Sequence, residues 1–204
     1  MSKWEKVRLG DVATFVNGYA FKPDDWDTQG LPIIRIQNLT GSSEVINYYN
    51  KPYNPIYEVN DGDVLISWSA SLGVYKWNKG KALLNQHIFK VIFDKLHVDK
   101  DYFIYAVRFL LNTIEKETHG STMKHITKSR FDNLQFPLPP FDNQIKIAKI
   151  LNVISELIIL RKQQLAELDN LIKSVFYDMF GDPLTNEKGW KARKLGDLAT
   201  LMSG

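Results

Sequence analysis

The chain has 204 residues, of which 44% are hydrophobic and 24% charged, with 26 basic and 23 acidic side chains. This composition indicates a folded protein of one or two domains and excludes a wholly disordered or collagen-like chain. The absence of cysteine excludes a disulfide framework, a zinc ribbon and thiol catalysis. With no membrane-length apolar run and no secretory signal, we expect a cytoplasmic protein.

Two segments that start 186 residues apart resemble each other. Trp4–Gly18 and Trp190–Gly204 are identical at seven of fifteen positions, including the tripeptides Leu9-Gly10-Asp11 and Leu195-Gly196-Asp197. Such self-similarity predicts a repeated structural unit whose second copy has just begun. The chain is therefore either a piece of a two-copy protein or a half-length version of it.

Residues 1–140 have the pattern of mixed α and β structure. Short β-rich runs at Ile33–Ile36, Val64–Ile66 and Ile88–Phe93 are separated by turn signals. A helix is predicted over Lys100–Glu117, because apolar residues recur at helical spacing and Asp99 can cap its first turn.

Charge is unevenly distributed along the chain. Residues 22–66 carry a net charge of −4, whereas residues 67–130 carry eleven bases, five acids and all four histidines, a net charge of +6. A basic segment of this kind is typical of a nucleic-acid contact, and equally of an uneven solvated surface.

A proline-rich boundary at Phe136–Pro140 is followed by a long helix predicted over residues 141–181. Asp142 can cap its start, and Gly181 and Pro183 can end it. Residues spaced alternately four and three apart form a heptad stripe, here called the seam, which predicts pairing with another helix. The alternative is a core helix folded back on residues 1–140. The seam consists of Ile147, Leu151, Ile154, Ile158, Arg161, Leu165, Leu168, Ile172, Val175 and Met179.

Arg161 is the one charged residue of the seam. A polar residue at such a position can fix the register of the paired helices at a cost in stability. It can equally extend outward so that its charge stays in water.

Motifs that carry catalysis or phosphate binding are missing from the sequence. It contains no phosphate-binding loop, no G-x-G-x-x-G, no H-E-x-x-H and no G-x-S-x-G. Asp61 and Asp63 flank Gly62 in a pattern more typical of a turn than of a catalytic pair. The sequence therefore does not predict an enzyme that acts alone.

An ordered set of short motifs resembles the specificity (S) subunits of type I restriction–modification enzymes. Each motif alone is weak, but their order, followed by a heptad helix and a restarted domain, is specific. The motifs are Trp4 with Leu9–Asp11, Ile34–Leu39, Gly62–Ser67, Leu84–Ile88, Gly120–Thr122, Ile126-Thr127 and Phe136–Pro140 with Gln144.

The resemblance implies an α+β fold, in which a globular β-rich target recognition domain is followed by one long coiled-coil-forming helix. Its domains would be a recognition domain at 1–140, a spacer and pairing helix at 141–181, and the start of a second recognition domain at 182–204. It implies a non-catalytic subunit that binds one half of a bipartite site in double-stranded DNA. Another S-subunit half would pair through the helix.

The partners implied are methyltransferase (M) subunits and, where present, restriction (R) subunits. S-adenosylmethionine and ATP would then belong to those partners, with no cofactor or metal in this chain.

The candidate DNA-binding residues are cations for phosphates and polar side chains for base edges. For each of them the alternative is an ordinary exposed loop residue, and Ser67–Ser71 can equally be a structural turn. The candidates are Arg35, Gln37, Asn38, Ser67, Ser69, Lys76, Trp77, Lys79, Lys81, Gln86, His87, Ser121, Thr122, Lys124, His125, Lys128 and Arg130.

Two other functions remain open from the sequence. The chain could be an assembly module whose helix recruits a methyltransferase without reading DNA sequence. It could also be an enzyme domain with a non-standard site around His87 and His125.

Overall fold

The computed structural model describes residues 4–117 and 126–200. The chain divides into two compact units, Met1–Leu151 and Asn152–Gly204. Strands and short helices build the first unit, and a 40-residue helix, Phe141–Phe180, continues into the second. The α+β class predicted from the sequence, with its long helix, is confirmed.

The described residues contain ten strands in three sheets and five α-helices. The sheets have the orders β1-β10, β2-β9-β6-β7 and β4-β3-β8-β5. The strands are β1 (Glu5–Arg8), β2 (Thr14–Asn17), β3 (Leu31–Ile34), β4 (Asn47–Tyr49), β5 (Glu58–Val59), β6 (Val64–Ser67), β7 (Gly73–Lys76), β8 (Ala82–Leu84), β9 (Ile88–Ile92) and β10 (Gln135–Leu138). The helices are α1 (Leu9–Val12), α2 (Ile36–Thr40), α3 (Lys100–Glu117), α4 (Lys128–Asp132) and α5 (Phe141–Phe180).

The larger core packs the sheet of β2, β9, β6 and β7 against α3 and α4. Phe131 of α4 lies at its centre, with its ring centroid 4.9 Å from that of Phe15 and 5.4 Å from that of Phe89. Helix α3 has the predicted bounds, and Asp99 accepts the N–H of Tyr102 at 2.8 Å, as expected for its cap.

The sheet of β4, β3, β8 and β5 contains the parallel pair of strands that positions the candidate site. Strands β3 and β8 pair with Ile33 opposite Leu83 and Ile34 opposite Leu84. The predicted β-run through Ile36 is too long, because β3 ends at Ile34 and α2 begins at Ile36. The chain turns there because the Asn38 side chain accepts the Arg35 N–H at 3.0 Å.

The start and the end of the first unit are joined by hydrogen bonds. Strand β1 pairs with β10, which contains Pro137. Buried Gln144 of α5 donates to the Pro139 carbonyl at 2.9 Å and accepts the Asp99 N–H at 3.0 Å. This glutamine therefore ties the first turn of α5 to the start of α3.

Both ends of α5 are close to the predicted positions. Gly181 follows the last helical residue with φ of +75° and donates to the Tyr177 carbonyl at 2.8 Å, so it ends the helix as predicted. The expectation for Asp142 was wrong, because it lies inside the first turn rather than before it.

The repeated Leu-Gly-Asp tripeptide begins a helical turn in both copies. Leu9–Val12 forms α1, and Leu195–Asp197 forms a single 3₁₀ turn. In the second copy the Trp190 indole donates to the Phe180 carbonyl at 2.8 Å. Within the part of the chain that the structure describes, no helix combines the length and apolar character needed to cross a membrane.

Candidate nucleic-acid interface

A cavity of about 450 Å³, lined by both polar and apolar side chains, opens on the surface of the first unit. Five predicted DNA-binding residues line it: Arg35, Gln37, Ser69, Gln86 and His87. The other lining residues are Phe21, Trp26, Ile36, Thr40, Ser42, Ala70, Ser71 and Asn85.

Sheet topology explains why residues far apart in sequence meet at this cavity. Because β3 and β8 are parallel, the segments that follow them leave the sheet at the same edge. Arg35 follows β3 and Asn85 follows β8, and the Asn85 N–H donates to the Ile34 carbonyl at 3.2 Å. The loop between β6 and β7 supplies Ser69 to the same cavity.

Arg35 is held on two sides within the cavity wall. Its guanidinium carbon lies 5.1 Å from the centre of the Trp26 ring, and its Nη1 donates to the Asn47 side chain at 3.3 Å. Such contacts fix the direction of a long side chain before any ligand arrives.

Aromatic rings support the part of the cavity that His87 lines. The exposed His87 ring lies 5.4 Å from that of Trp68, which stacks on Phe89 at 5.7 Å and donates to Asn17 at 3.2 Å. Next to them Ala70 adopts φ of 60°, a conformation that costs energy for a residue with a Cβ. The wall is therefore a fixed turn rather than a loose loop.

Three candidates occupy structural positions instead. Ser67 is fully buried, and its hydroxyl donates to the Ser71 carbonyl. Trp77 is 8% exposed and packs in the smaller core, where its indole donates to the Gly80 carbonyl. Asn38 already uses both ends of its amide, one toward Arg35 and one toward Val45. The polar groups of these three side chains therefore bond to neighbouring residues and do not face the cavity.

Most of the candidate lysines form ion pairs away from the cavity. Lys76 lies 3.0 Å from Asp101 and Lys128 3.0 Å from Asp132. Lys81 lies 2.8 Å from Glu58, and this hydrogen bond lowers the pKa of the Glu58 carboxyl. Lys79 and Arg130 are exposed. The basic excess of residues 67–130 is thus partly neutralised by neighbouring acids.

Four further candidates, Ser121, Thr122, Lys124 and His125, lie outside the described residues. Ile126, which follows them in sequence, is buried and donates its N–H to the Trp68 carbonyl at 3.1 Å. The chain therefore resumes beside the cavity wall. Among the described residues no group of three or more acidic or histidine side chains is placed to hold a metal ion.

The seam of α5 is largely uncovered. Ile147 packs partly against the larger core. From Ile154 to Met179 the aliphatic seam residues are 46–67% exposed, and Arg161 donates to Gln164 at 2.6 Å. Further apolar residues outside the seam are also exposed: Ile150, Val153, Leu157, Ile159, Leu160, Leu171, Phe176 and Tyr177.

Sequence reasoning missed two residues that hold Arg35, one of which, Trp26, also lines the cavity. Trp26 is 39% exposed in a polar loop, and the Arg35 guanidinium packs on its ring. Asn47, which accepts a hydrogen bond from Arg35, lies on strand β4. The one signal in the sequence for Trp26 is a tryptophan that stands in a polar segment rich in Asp. Nothing in the sequence pairs Asn47 with Arg35, twelve residues earlier.

The architecture is an α+β unit with a surface cavity, followed by a long helix with an exposed heptad seam. The chain belongs to the family described as the type I restriction modification DNA specificity domain, whose model matches residues 1–170.

Two curated relatives are specificity subunits. The type I restriction enzyme EcoBI specificity subunit of Escherichia coli is 27% identical, over 83% of this chain and 36% of its own. The MjaVIII specificity subunit of Methanocaldococcus jannaschii is 26% identical, over 96% of this chain and 46% of its own. This chain therefore spans less than half the length of either.

The crystal structure of the HsdS subunit from Thermoanaerobacter tengcongensis has a similar fold. The TM-score is 0.61 with 22% sequence identity, over 89% of this chain and 46% of that one.

Proposed function

We propose that this chain recognises one half of a bipartite DNA site as the specificity subunit, or half subunit, of a type I restriction–modification complex. The observation that carries the proposal is the cavity, which gathers Arg35, Gln37, Ser69, Gln86 and His87 from three separate segments. Amide, hydroxyl, imidazole and guanidinium groups are the side chains that read base edges in the major groove.

Phosphate contacts would come from cations outside the cavity. Lys79 and Arg130 are exposed, and the ion pairs of Lys76, Lys81 and Lys128 are at the surface, where solvent screens such pairs and they contribute little to stability. These lysines can therefore leave their carboxylate partners and bind a DNA phosphate with little loss of stability. Binding should weaken steeply as the salt concentration rises.

One recognition domain reads one half-site, so two copies must be joined. In this proposal residues 1–140 are the recognition domain, residues 141–181 the spacer helix, and residues 182–204 the start of a second domain. The exposed seam favours pairing with another S-subunit half, either a second copy or a continuation of a longer protein.

The partners in this proposal are double-stranded DNA and type I methyltransferase subunits, together with restriction subunits where the system has them. Apolar residues outside the seam, such as Val153 and Leu160, stay exposed and favour a further protein on α5. S-adenosylmethionine and ATP would be bound by those partners, and the complex would act in the cytoplasm. The family assignment supports a recognition subunit and not an enzyme.

The test is a methylation map. The chain is co-expressed with its methyltransferase subunit in a host without DNA methylation, and modified adenines are located genome-wide. A two-part palindromic motif is expected if two copies pair and each reads the same half-site. Soluble complex without any motif would contradict sequence recognition by this chain and favour the assembly-module alternative.

A further inference from the structure

The start of α5 is attached to the preceding strands and helices through a short segment. Gln144 and Ala148 are the buried residues of the helix, and both lie near its start. Ile147 packs partly against the larger core. These three residues belong to the first unit, Met1–Leu151. The direction in which α5 leaves the first unit therefore depends on this segment, residues 139–148, here called the joint.

Gln144 supplies the directional contacts of the joint. Its side-chain nitrogen donates to the Pro139 carbonyl at 2.9 Å, and its side-chain oxygen accepts the Asp99 N–H at 3.0 Å. Because Gln144 is 2% exposed, water does not replace these hydrogen bonds when they break. Hydrogen bonds require a narrow range of angles, whereas the apolar contacts of Ile147 and Ala148 do not define a direction.

Both partners of Gln144 are themselves held in place. Asp99 caps α3, and Pro139 follows β10, which pairs with β1. Pro139 and Pro140 have a fixed φ, so the link between β10 and α5 is stiff. The His97 ring stacks on Phe141, the first residue of α5, with ring centroids 4.0 Å apart. The joint therefore resists tilting of α5 against the strands and helices that precede it.

We propose that Gln144 is a positioning residue that fixes the number of base pairs between the two half-sites. This inference rests on the proposed function, in which two recognition domains are joined by paired α5 helices. The paired helices would set the distance between two joints, and each joint would set where its domain meets the DNA. One base pair changes the separation of the half-sites by about 3.4 Å and their relative rotation by about 35°. A joint that cannot tilt therefore accepts a single spacer length.

The test compares the wild-type complex, including its methyltransferase subunit, with the Gln144→Met complex. Methionine has a similar length but makes neither hydrogen bond. DNA duplexes carry the mapped half-sites with the natural spacer, or with one base pair fewer or more. Wild type must break both hydrogen bonds of Gln144 to accept an altered spacer, whereas the variant has none to break. The affinity penalty for an altered spacer should therefore be about 5- to 150-fold smaller in Gln144→Met.

Methylation maps provide a second readout, which loss of stability alone would not change. The Gln144→Met complex should methylate the same half-sites as wild type, but at more than one spacer length. Val59→Ala is the control for stability, because it opens a cavity where Val59 is fully buried in the smaller core. It should lower the thermal unfolding temperature and keep the wild-type spacer penalty. Asn143→Ala, at an exposed residue of the same turn, should change neither.

His97→Ala tests the joint if Gln144→Met does not fold. His97 is exposed, so its loss should leave the fold intact while removing the ring that stacks on Phe141. The spacer penalty should again be smaller than in wild type.

Three results would overturn the inference and leave the proposed function intact. One is a folded, methylating variant of the joint that keeps the wild-type spacer penalty and a single spacer length. Another is a wild-type complex that already methylates its half-sites at several spacer lengths. The third is a Gln144→Met motif with altered bases in the half-sites, because Gln144 would then affect base reading. A wild-type complex with no motif at all would instead contradict the proposed function.

Discussion

A charge placed in the seam of α5 should separate paired helices. Ile158 lies in the middle of the seam and is 52% exposed in the single chain. Pairing would bury this side chain against another helix, so Ile158→Asp replaces an apolar contact with a carboxylate in the same place. The matched control is Gln163→Asp, which adds the same charge on the opposite face of the helix, outside the seam.

The magnitude follows from the exposed area. Full burial of an isoleucine is worth about 1.5–3 kcal/mol, so covering the exposed half is worth about 1 kcal/mol in each helix. A carboxylate left in an apolar seam without a partner adds a desolvation cost of at least about 2 kcal/mol. Because both helices of the pair carry the substitution, the pair should be destabilised by about 6 kcal/mol in total, or about 10,000-fold in its dissociation constant.

Sedimentation equilibrium of the full chain measures this directly. Ile158→Asp should shift the monomer–dimer equilibrium by about four decades, whereas Gln163→Asp should change it by less than about tenfold. Equal dissociation constants for the two variants would refute the seam as the pairing surface. Circular dichroism at matched concentration distinguishes loss of pairing from loss of the helix itself.

Two further predictions concern the first unit. Burial raises the pKa of Tyr102 to about 12, and its hydroxyl donates to the Pro137 carbonyl at 2.8 Å. Because the unfolded value is about 10, this group's contribution to stability is complete below pH 10 and is lost as the pH rises through 12. Denaturant titrations should show this loss in the wild type and not in Tyr102→Phe. Gly18→Ala should cost about 1–3 kcal/mol, because the new Cβ meets the Asn85 backbone, whereas Gly196→Ala has open space and should be neutral in the same titration.

The sequence pattern predicted the helices whose formation depends on neighbouring residues, namely an apolar repeat and the residues that cap or end the helix. Helix α3 follows from an apolar stripe and the Asp99 cap, and α5 from a heptad repeat that ends at Gly181. The strand through Ile36 was extended too far because β-branched residues continue beyond Ile34. A single side chain, Asn38, turns the backbone there, and composition does not carry such information.

The cavity was predicted only in part because its geometry depends on long-range pairing. The sequence marks Arg35 as a cation just after a strand and Gln86 as a polar candidate, but the parallel register of β3 and β8 is what brings their segments together. Trp77 was chosen for its basic neighbours, yet its ring fills the smaller core. A count of charges also cannot show that Lys81 lies beside Glu58, because 23 residues separate them in sequence.

The arrangement of cations separates affinity from specificity in the proposed function. Lysines at exposed ion pairs can exchange partners at little cost, so each contributes a small and sequence-independent part of DNA binding. Arg35 differs from them because Trp26 and Asn47 hold it in the wall of the cavity, so its donors suit one direction of approach. Loss of a lysine should therefore reduce methylation at all sites together.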